Sequence, residues 1–188
     1  VDSRTKLLAA ALQVLERDGQ DQFSTRAVCD IAGVTAPTLY HYFGSINGLL
    51  SAAIAQAFAE FLAHKAAVEA APDPAIGLRD GWDNYVRFAA ERPRLYSAMV
   101  ARVLQGADIP AADQARELLR LQIQAVADAD RLAMDADAAV ELAWASAHAA
   151  ASLYTPAWDR TPHPDMIARL RDDALRAICR PHPKGKQS

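Results

Sequence analysis

Between Ser24 and Phe43 the chain reads STRAVCDIAGVTAPTLYHYF, a stretch crowded with hydroxyls and amphipathic rings and nearly free of charge. Side chains of this kind, held at fixed spacing on a rigid backbone, hydrogen-bond to base edges and phosphate oxygens in a major groove. The spacing predicts that rigid backbone. Ser24 caps a helix whose apolar positions Val28, Ile31 and Ala32 recur at helical period, and Gly33 supplies the left-handed conformation that ends it. Val34 plugs the turn into the core. Thr35 is a second N-cap, and Pro37 falls within the first turn of the next helix, where amide donors have no intrahelical acceptor to lose. In that second helix Leu39 and Phe43 share one face at i,i+4. Ala36, Thr38, Tyr40, His41 and Tyr42 are left for the remaining surface. The pair reads as a helix-turn-helix, the alternative being an ordinary corner between two core helices.

The flanks fit the first reading. A helix from Ser3 to Asp18 precedes the pair, with Leu8, Ala11, Leu12 and Leu15 as its stripe and Gly19 as its stop. Ser45 is a third N-cap. It opens a long helix whose stripe is Leu50, Ile54, Ala57, Phe58, Phe61 and Val68, ended by Pro72 and Pro74. With this order of segments, residues 4 to 50 resemble the TetR (tetracycline repressor) family of bacterial one-component regulators, the run TRAVCDIAGVTAPTLYHYF carrying most of the specificity. More weakly, RFAAERPRLYSAM (Arg87 to Met99) and the Trp144 and His148 pair in WASAHA resemble a C-terminal ligand-binding domain found in part of that family.

The resemblance implies an all-α protein of about nine helices. Residues 1–46 would form a three-helix, helix-turn-helix DNA-binding domain, 47–180 a ligand-binding and dimerisation bundle, and 181–188 a loose tail. It further implies a repressor of a double-stranded palindromic operator, released by a small-molecule effector that the aromatic content marks as apolar or ring-bearing. Thr25 and Arg26 are expected on phosphates, Thr35, Ala36, Thr38, Tyr40 and His41 in the groove, and Tyr42 on the DNA backbone. The partner is a second copy of the chain, joined through the last two helices. Two recognition helices about 34 Å apart then read one turn of duplex. A neighbouring face of small residues, Ala143, Ala147 and Ala150 with Tyr154, reads as a helix contact surface.

Two departures from the family pattern stand out. The fourth helix starts with Ile46 and Asn47 where the family usually has a lysine and an acidic residue, which removes one phosphate contact. Residues 1–50 hold four basic against five acidic side chains, a net charge of −1. Neutral donors and helix N-termini must then carry phosphate binding, and the salt dependence should be shallow. A basic arm upstream of Val1 would restore the usual footprint. The same departures motivate the alternative of a ligand-binding or scaffolding relative with weakened DNA contact.

Beyond Pro74 there is no sustained alternation and no hairpin signal, so helices continue. Leu78, Trp82, Tyr85, Val86 and Ala89 stripe a fifth, and Pro93 opens a sixth with Leu95, Tyr96, Met99, Val100 and Val103. After the break at Gly106 to Pro110 a seventh runs from about Ala111 to Leu132 with Leu118, Leu121, Ile123 and Val126. Asp135 or Asp137 starts the eighth. The ninth, about Pro164 to Cys179, aligns Ile167, Leu170, Ala174, Ala177 and Ile178. An aromatic stripe at this period is first a core stripe. By the resemblance, the ligand sits among helices four to eight, which selects Phe61, Trp82, Tyr85, Tyr96, Met99, Trp144 and His148 as its lining. His148 serves equally as a structural histidine bonded within the interior.

Composition excludes other classes. The chain has 188 residues, 52% hydrophobic, 23% charged and net charge −3, enough to bury a core and neither disordered nor extracellular in character. No apolar run reaches the ~18 residues of a membrane span, and two cysteines far apart in sequence suit a reducing cytoplasm. Cys29 reads as a small buried thiol before a redox sensor. No Gly-rich phosphate loop, HExxH, CxxC or Glu-x-x-His motif supports catalysis, a metal or a cofactor, and Glu60 with His64 reads as a solvated helix surface.

Overall fold

Each helix begins where a side chain or a proline meets the unpaired first-turn amides. The computed structural model describes residues 2–66, 73–107, 109–156 and 161–181. In chain order the helices are α1 (Ser3–Asp18), α2 (Thr25–Ala32), α3 (Ala36–Phe43), α4 (Ile46–Ala66), α5 (Pro74–Glu91), α6 (Pro93–Leu104), α7 (Pro110–Asp128), α8 (Ala136–Ser152) and α9 (Pro164–Ile178). Asp2 accepts from the Thr5 amide at 2.7 Å, Ser24 from Ala27 at 3.2 Å, and Ser45 from Gly48 at 2.9 Å. Asp135 accepts from the amides of both Asp137 and Ala138, so it and not Asp137 opens α8. Gly33, at φ +64°, takes the left-handed turn between α2 and α3.

Two apolar clusters share α1 and α4. The head cluster joins Leu7, Ala11 and Val14 of α1 to Val28 of α2, Leu39 of α3 and Leu49 and Ala53 of α4. The body cluster takes up Leu15 at the end of α1 and continues through Leu50, Ile54 and Phe58 of α4 into α5, α6 and α8. A third, around Ile123, Val140 and Ile178, closes α7, α8 and α9 over Leu78. Because α4 carries adjacent stripes into both the first and second clusters, it joins head to body along its length, with the end of α1 beside it.

Polar ties reinforce these contacts. The Arg92 Nε donates to Glu16 Oε1 at 2.6 Å, joining the start of α6 to the end of α1. Arg94 donates to the carbonyl oxygens of Glu16 and Arg17, where the α1 dipole leaves acceptors open. Arg102 of α6 reaches Ser51 Oγ on α4 at 3.1 Å, and Arg171 of α9 reaches Asp83 of α5 at 3.0 Å. Arg131 pairs with Asp73 and donates to the Arg180 carbonyl, fastening the α7–α8 loop to both the α5 N-terminus and the end of α9. Beside it, Leu132 and Cys179 form an isolated antiparallel bridge.

Several expectations of phase and extent are corrected. Ile31, Val103 and Leu121 are exposed, at 37%, 47% and 59%, although each fell on a predicted stripe. In α7 the buried residues are Ala115, Ile123 and Val126, and the helix ends at Asp128, short of Leu132. Ala177 faces outward while Ala174 and Ile178 are buried. Ala143, Ala147 and Ala150 are buried inside the protomer, where α5 packs on α8, so they are not free to meet a second copy. The outward positions of α8 are Ala138, Glu141, Ala145 and Ala149. Val68, Pro72, the His64 side chain and the tail from residue 182 lie outside the described residues. Among the described residues no single helix is long and apolar enough to cross a membrane.

Candidate nucleic-acid interface and effector cleft

The first site is built on α3. Buried Leu39 anchors the helix to the head cluster, and Phe43 packs against the same cluster from one turn on. Rotation about the axis is thereby fixed, and Tyr40, His41 and Tyr42 are turned outward, the tyrosines 48% and 44% exposed. The Tyr40 hydroxyl meets Thr25 Oγ1, at the first residue of α2, at 3.2 Å. This contact ties the exposed edge of α3 to the N-terminus of α2, where unpaired amides already favour an anion.

Thr35 occupies the N-cap position, but its hydroxyl bonds Thr38 Oγ1 at 3.1 Å in place of a backbone amide, correcting the expected cap bond. Pro37 brings no amide proton and the Thr38 amide donates to the Thr35 carbonyl at 3.0 Å, so this hydroxyl pair is what the first turn of α3 offers at its open end. Ala36 is half-buried against the head cluster and contributes only an edge to it. Arg26 is exposed, with Asp30 3.8 Å away one turn on. Ile46 packs on the head cluster, so the position where the family usually has a lysine serves the core. Cys29 is buried and its thiol is pushed up by that burial, the reverse of what a redox sensor needs.

The second site is a narrow apolar cleft in the body, of about 50 Å³. Phe61, Trp82, Tyr85 and Trp144 stand on its wall; Tyr96, Met99 and His148 do not. Tyr96 and Met99 are buried in the body cluster behind it. Gln122 also lines the cleft, with its amide committed to the Gly77 carbonyl at 3.2 Å. Trp82 Nε1 donates to Ser146 Oγ at 2.9 Å, and the Arg116 guanidinium lies 5.6 Å over the Trp144 ring. Sequence reasoning did not single out Gln122, Ser146 or Arg116, since polar residues on surface helices carry no periodic signal of a cleft.

Tyr85 links the cleft to a polar cluster. Its hydroxyl is 2.9 Å from His148 Nδ1, and the Tyr96 hydroxyl is 3.3 Å from the same nitrogen. Burial lowers the His148 pKa and keeps the ring neutral. Burial also pushes the Tyr96 phenol up to about 12, against a smaller opposing effect of its bond to Tyr85, and raises Tyr85 as well. Trp144 stacks on His148 with ring centroids 6.2 Å apart. Apart from this cleft, a wider groove of about 1010 Å³ lies beside the Glu16–Arg92 pair.

An outward-facing helix-turn-helix pair on a helical body is the architecture of a class of DNA-binding regulators. Residues 7–53 match the bacterial regulatory proteins of the tetR family, and residues 78–178 match the tetracyclin repressor-like C-terminal domain. The chain belongs to the TetR family and is a DNA-binding transcriptional regulator, not a member of an enzyme family.

Solved structures agree in fold. A putative regulator from Saccharomonospora viridis, in complex with choline, superposes with a TM-score of 0.75 at 16% identity, covering 95% of this chain and 98% of that one. RolR, in complex with resorcinol, gives 0.70 at 20% identity over 94% and 87%. A TetR-family regulator from Haemophilus influenzae gives 0.62 at 22% identity over 95% and 97%. No curated protein matches the chain in sequence.

Proposed function

We propose that the chain is a homodimeric repressor that leaves a palindromic operator when a small apolar or aromatic effector enters the body cleft. The observation that carries the reading is the open edge of α3, where Tyr40 is locked to Thr25 and Thr38 to Thr35, all four hydroxyls away from the core. Thr25 and Arg26 contact phosphates, Thr35, Ala36, Thr38, Tyr40 and His41 enter the groove, and Tyr42 lies along the backbone. Residues 1–46 form the DNA-binding unit and 47–180 the effector and dimerisation unit, with α4 common to both cores. In a bacterial cell, a regulator that must meet chromosomal DNA works in the cytoplasm.

The dimer forms through α8 and α9. The α8 face with Ala138, Ala145 and Ala149 is small enough for close helix approach, and the adjoining α9 face carries exposed Met166 at 41%. RolR with resorcinol and the S. viridis protein with choline support a small effector among these helices. The ring-lined cleft favours the former kind of molecule. Release requires only that effector and operator prefer different dimer geometries, with a coupling of ~1–3 kcal/mol.

Tyr40→Phe and Thr38→Ala, tested against DNA selected in vitro by the intact protein, are expected to weaken binding about tenfold each. Unchanged affinity in both would refute the groove assignment. The net charge of −1 over residues 1–50, with Ile46 in the core, favours one other reading, a ligand-binding scaffold with little DNA affinity. Failure to retain any sequence at low salt would select that reading.

A further inference from the structure

The cluster behind the cleft has two hydroxyls sharing one imidazole nitrogen. A neutral imidazole offers one in-plane lone pair, and two phenol hydroxyls approach the same Nδ1 of His148, Tyr85 at 2.9 Å and Tyr96 at 3.3 Å. With Nδ1 unprotonated, one hydroxyl donates to it and the other proton has only the neighbouring phenol oxygen to reach. With Nδ1 protonated, the ring is itself a donor and both hydroxyl protons compete for phenol oxygens. With Nδ1 unprotonated every proton finds an acceptor, and the two hydroxyls can trade places on Nδ1 in a nearly dry site, with Tyr96 0% and Tyr85 9% exposed.

Tyr85 is also on the cleft wall, and its hydroxyl is the wall group that can trade partners within the cluster. Trp82 Nε1 is committed to Ser146 and one amide N–H of Gln122 to the Gly77 carbonyl. Among the described residues no acidic or basic side chain lines the cleft, so a carboxylate or an ammonium would meet no counter-charge from them. Two of the wall rings already have partners: Arg116 and His148 lie against Trp144, and Phe61 stacks on Phe58 with centroids 5.8 Å apart.

We infer that the cleft takes a neutral, ring-bearing molecule with a carbonyl or ether oxygen, which accepts the Tyr85 hydroxyl while His148 Nδ1 passes to Tyr96. This rests on the reading of the cleft as the effector site. The exchange loosens the α5–α8 link and tightens the α6–α8 link. Helix α6 is the one whose Arg92 and Arg94 grip the end of α1, so the same exchange bears on the head.

The test compares acetophenone with α-methylstyrene, which has nearly the same shape but a CH₂ in place of the carbonyl oxygen, on the intact protein by calorimetry. Benzoate and phenyltrimethylammonium serve as charged competitors. Acetophenone is expected to bind at least about tenfold tighter than α-methylstyrene, and neither ion to displace it. Tyr85→Phe brings the ratio to within about twofold, while Gln122→Leu leaves it intact. Equal binding of the two neutral probes to the unmodified protein, or a ratio unaltered by Tyr85→Phe, overturns the inference and leaves the effector cleft standing. Absence of binding by all four probes overturns the cleft as an effector site, and the inference with it.

Discussion

Tyr96 ties stability to alkaline pH in a way that isolates the buried hydroxyl cluster. Its phenol rises from an ordinary value of 10 to about 12 because the folded chain removes it from water. A raised acid pKa means that the native state holds its proton while the unfolded state has already lost it. The contribution is therefore complete below pH 10 and is lost as pH climbs towards 12. At 1.36 kcal/mol per unit, the full loss is about 2.7 kcal/mol, and about 1.4 kcal/mol of it is gone by pH 11. Urea unfolding followed by far-UV circular dichroism from pH 8 to 11 measures this.

Lysines and other groups titrate in the same range, so the readout is the difference between the unmodified protein and Tyr96→Phe. The variant is expected to be less stable at pH 8 by about 1 kcal/mol, from the lost hydrogen bond. It should then converge on, and cross, the unmodified protein near pH 11. Parallel pH curves for the two proteins would refute the claim that this phenol is held protonated by burial.

Three further outcomes follow from the geometry. Gly48→Ala, which in most helices stabilises by roughly 1 kcal/mol, should here cost about 1–3 kcal/mol in urea unfolding, since the new Cβ would fall on the Phe43 carbonyl oxygen; a stabilised variant would contradict it. Replacing both Arg92 and Arg94 with alanine should cost about 1–2 kcal/mol, the ion pair being discounted for its 28% and 43% exposed partners, and α1 amides should exchange faster than those of α5; unaltered exchange in α1 would show that the two arginines do not hold it. With Arg17 bonded to Asp18, the basic side chains each head can turn to phosphates are Arg4, Lys6 and Arg26, the last shared with Asp30. Operator binding by a dimer should then show a slope of log K against log salt no steeper than about −5, and a steeper slope measured by fluorescence anisotropy would place unrecognised cations at the interface.

Much of the architecture is legible wherever a local rule acts alone. Ser24, Gly33 and Ser45 announce their helix ends because capping is settled within three residues of chain. The phase of a stripe is harder to read in α7 and α8, where alanine and leucine occur all round the helix and burial depends on which neighbours arrive. Leu121 is exposed and Ala143 is buried for that reason. The wall residues Trp82, Tyr85 and Trp144 were visible as large rings at helical spacing. The partner that satisfies Trp82, Ser146, stands 64 residues away and had no signal of its own. Likewise Tyr96 and His148 were legible as candidates, yet their position behind the wall is a product of how α5, α6 and α8 meet.

The corner between α3 and α4 has no slack. The two helices meet at 64°, Gly44 takes a left-handed φ of +70°, and Gly48 rests against the carbonyl that ends α3. The recognition helix and the 21-residue α4 thus turn as a single crank. Over the roughly 31 Å that such a helix spans, a tilt of about 5° at the far end displaces the tip by nearly 3 Å, close to one base-pair step. In the proposed repressor, a very small angular disturbance of α4 would thus become a misregistered grip on the double helix, with no loop needing to melt along the way.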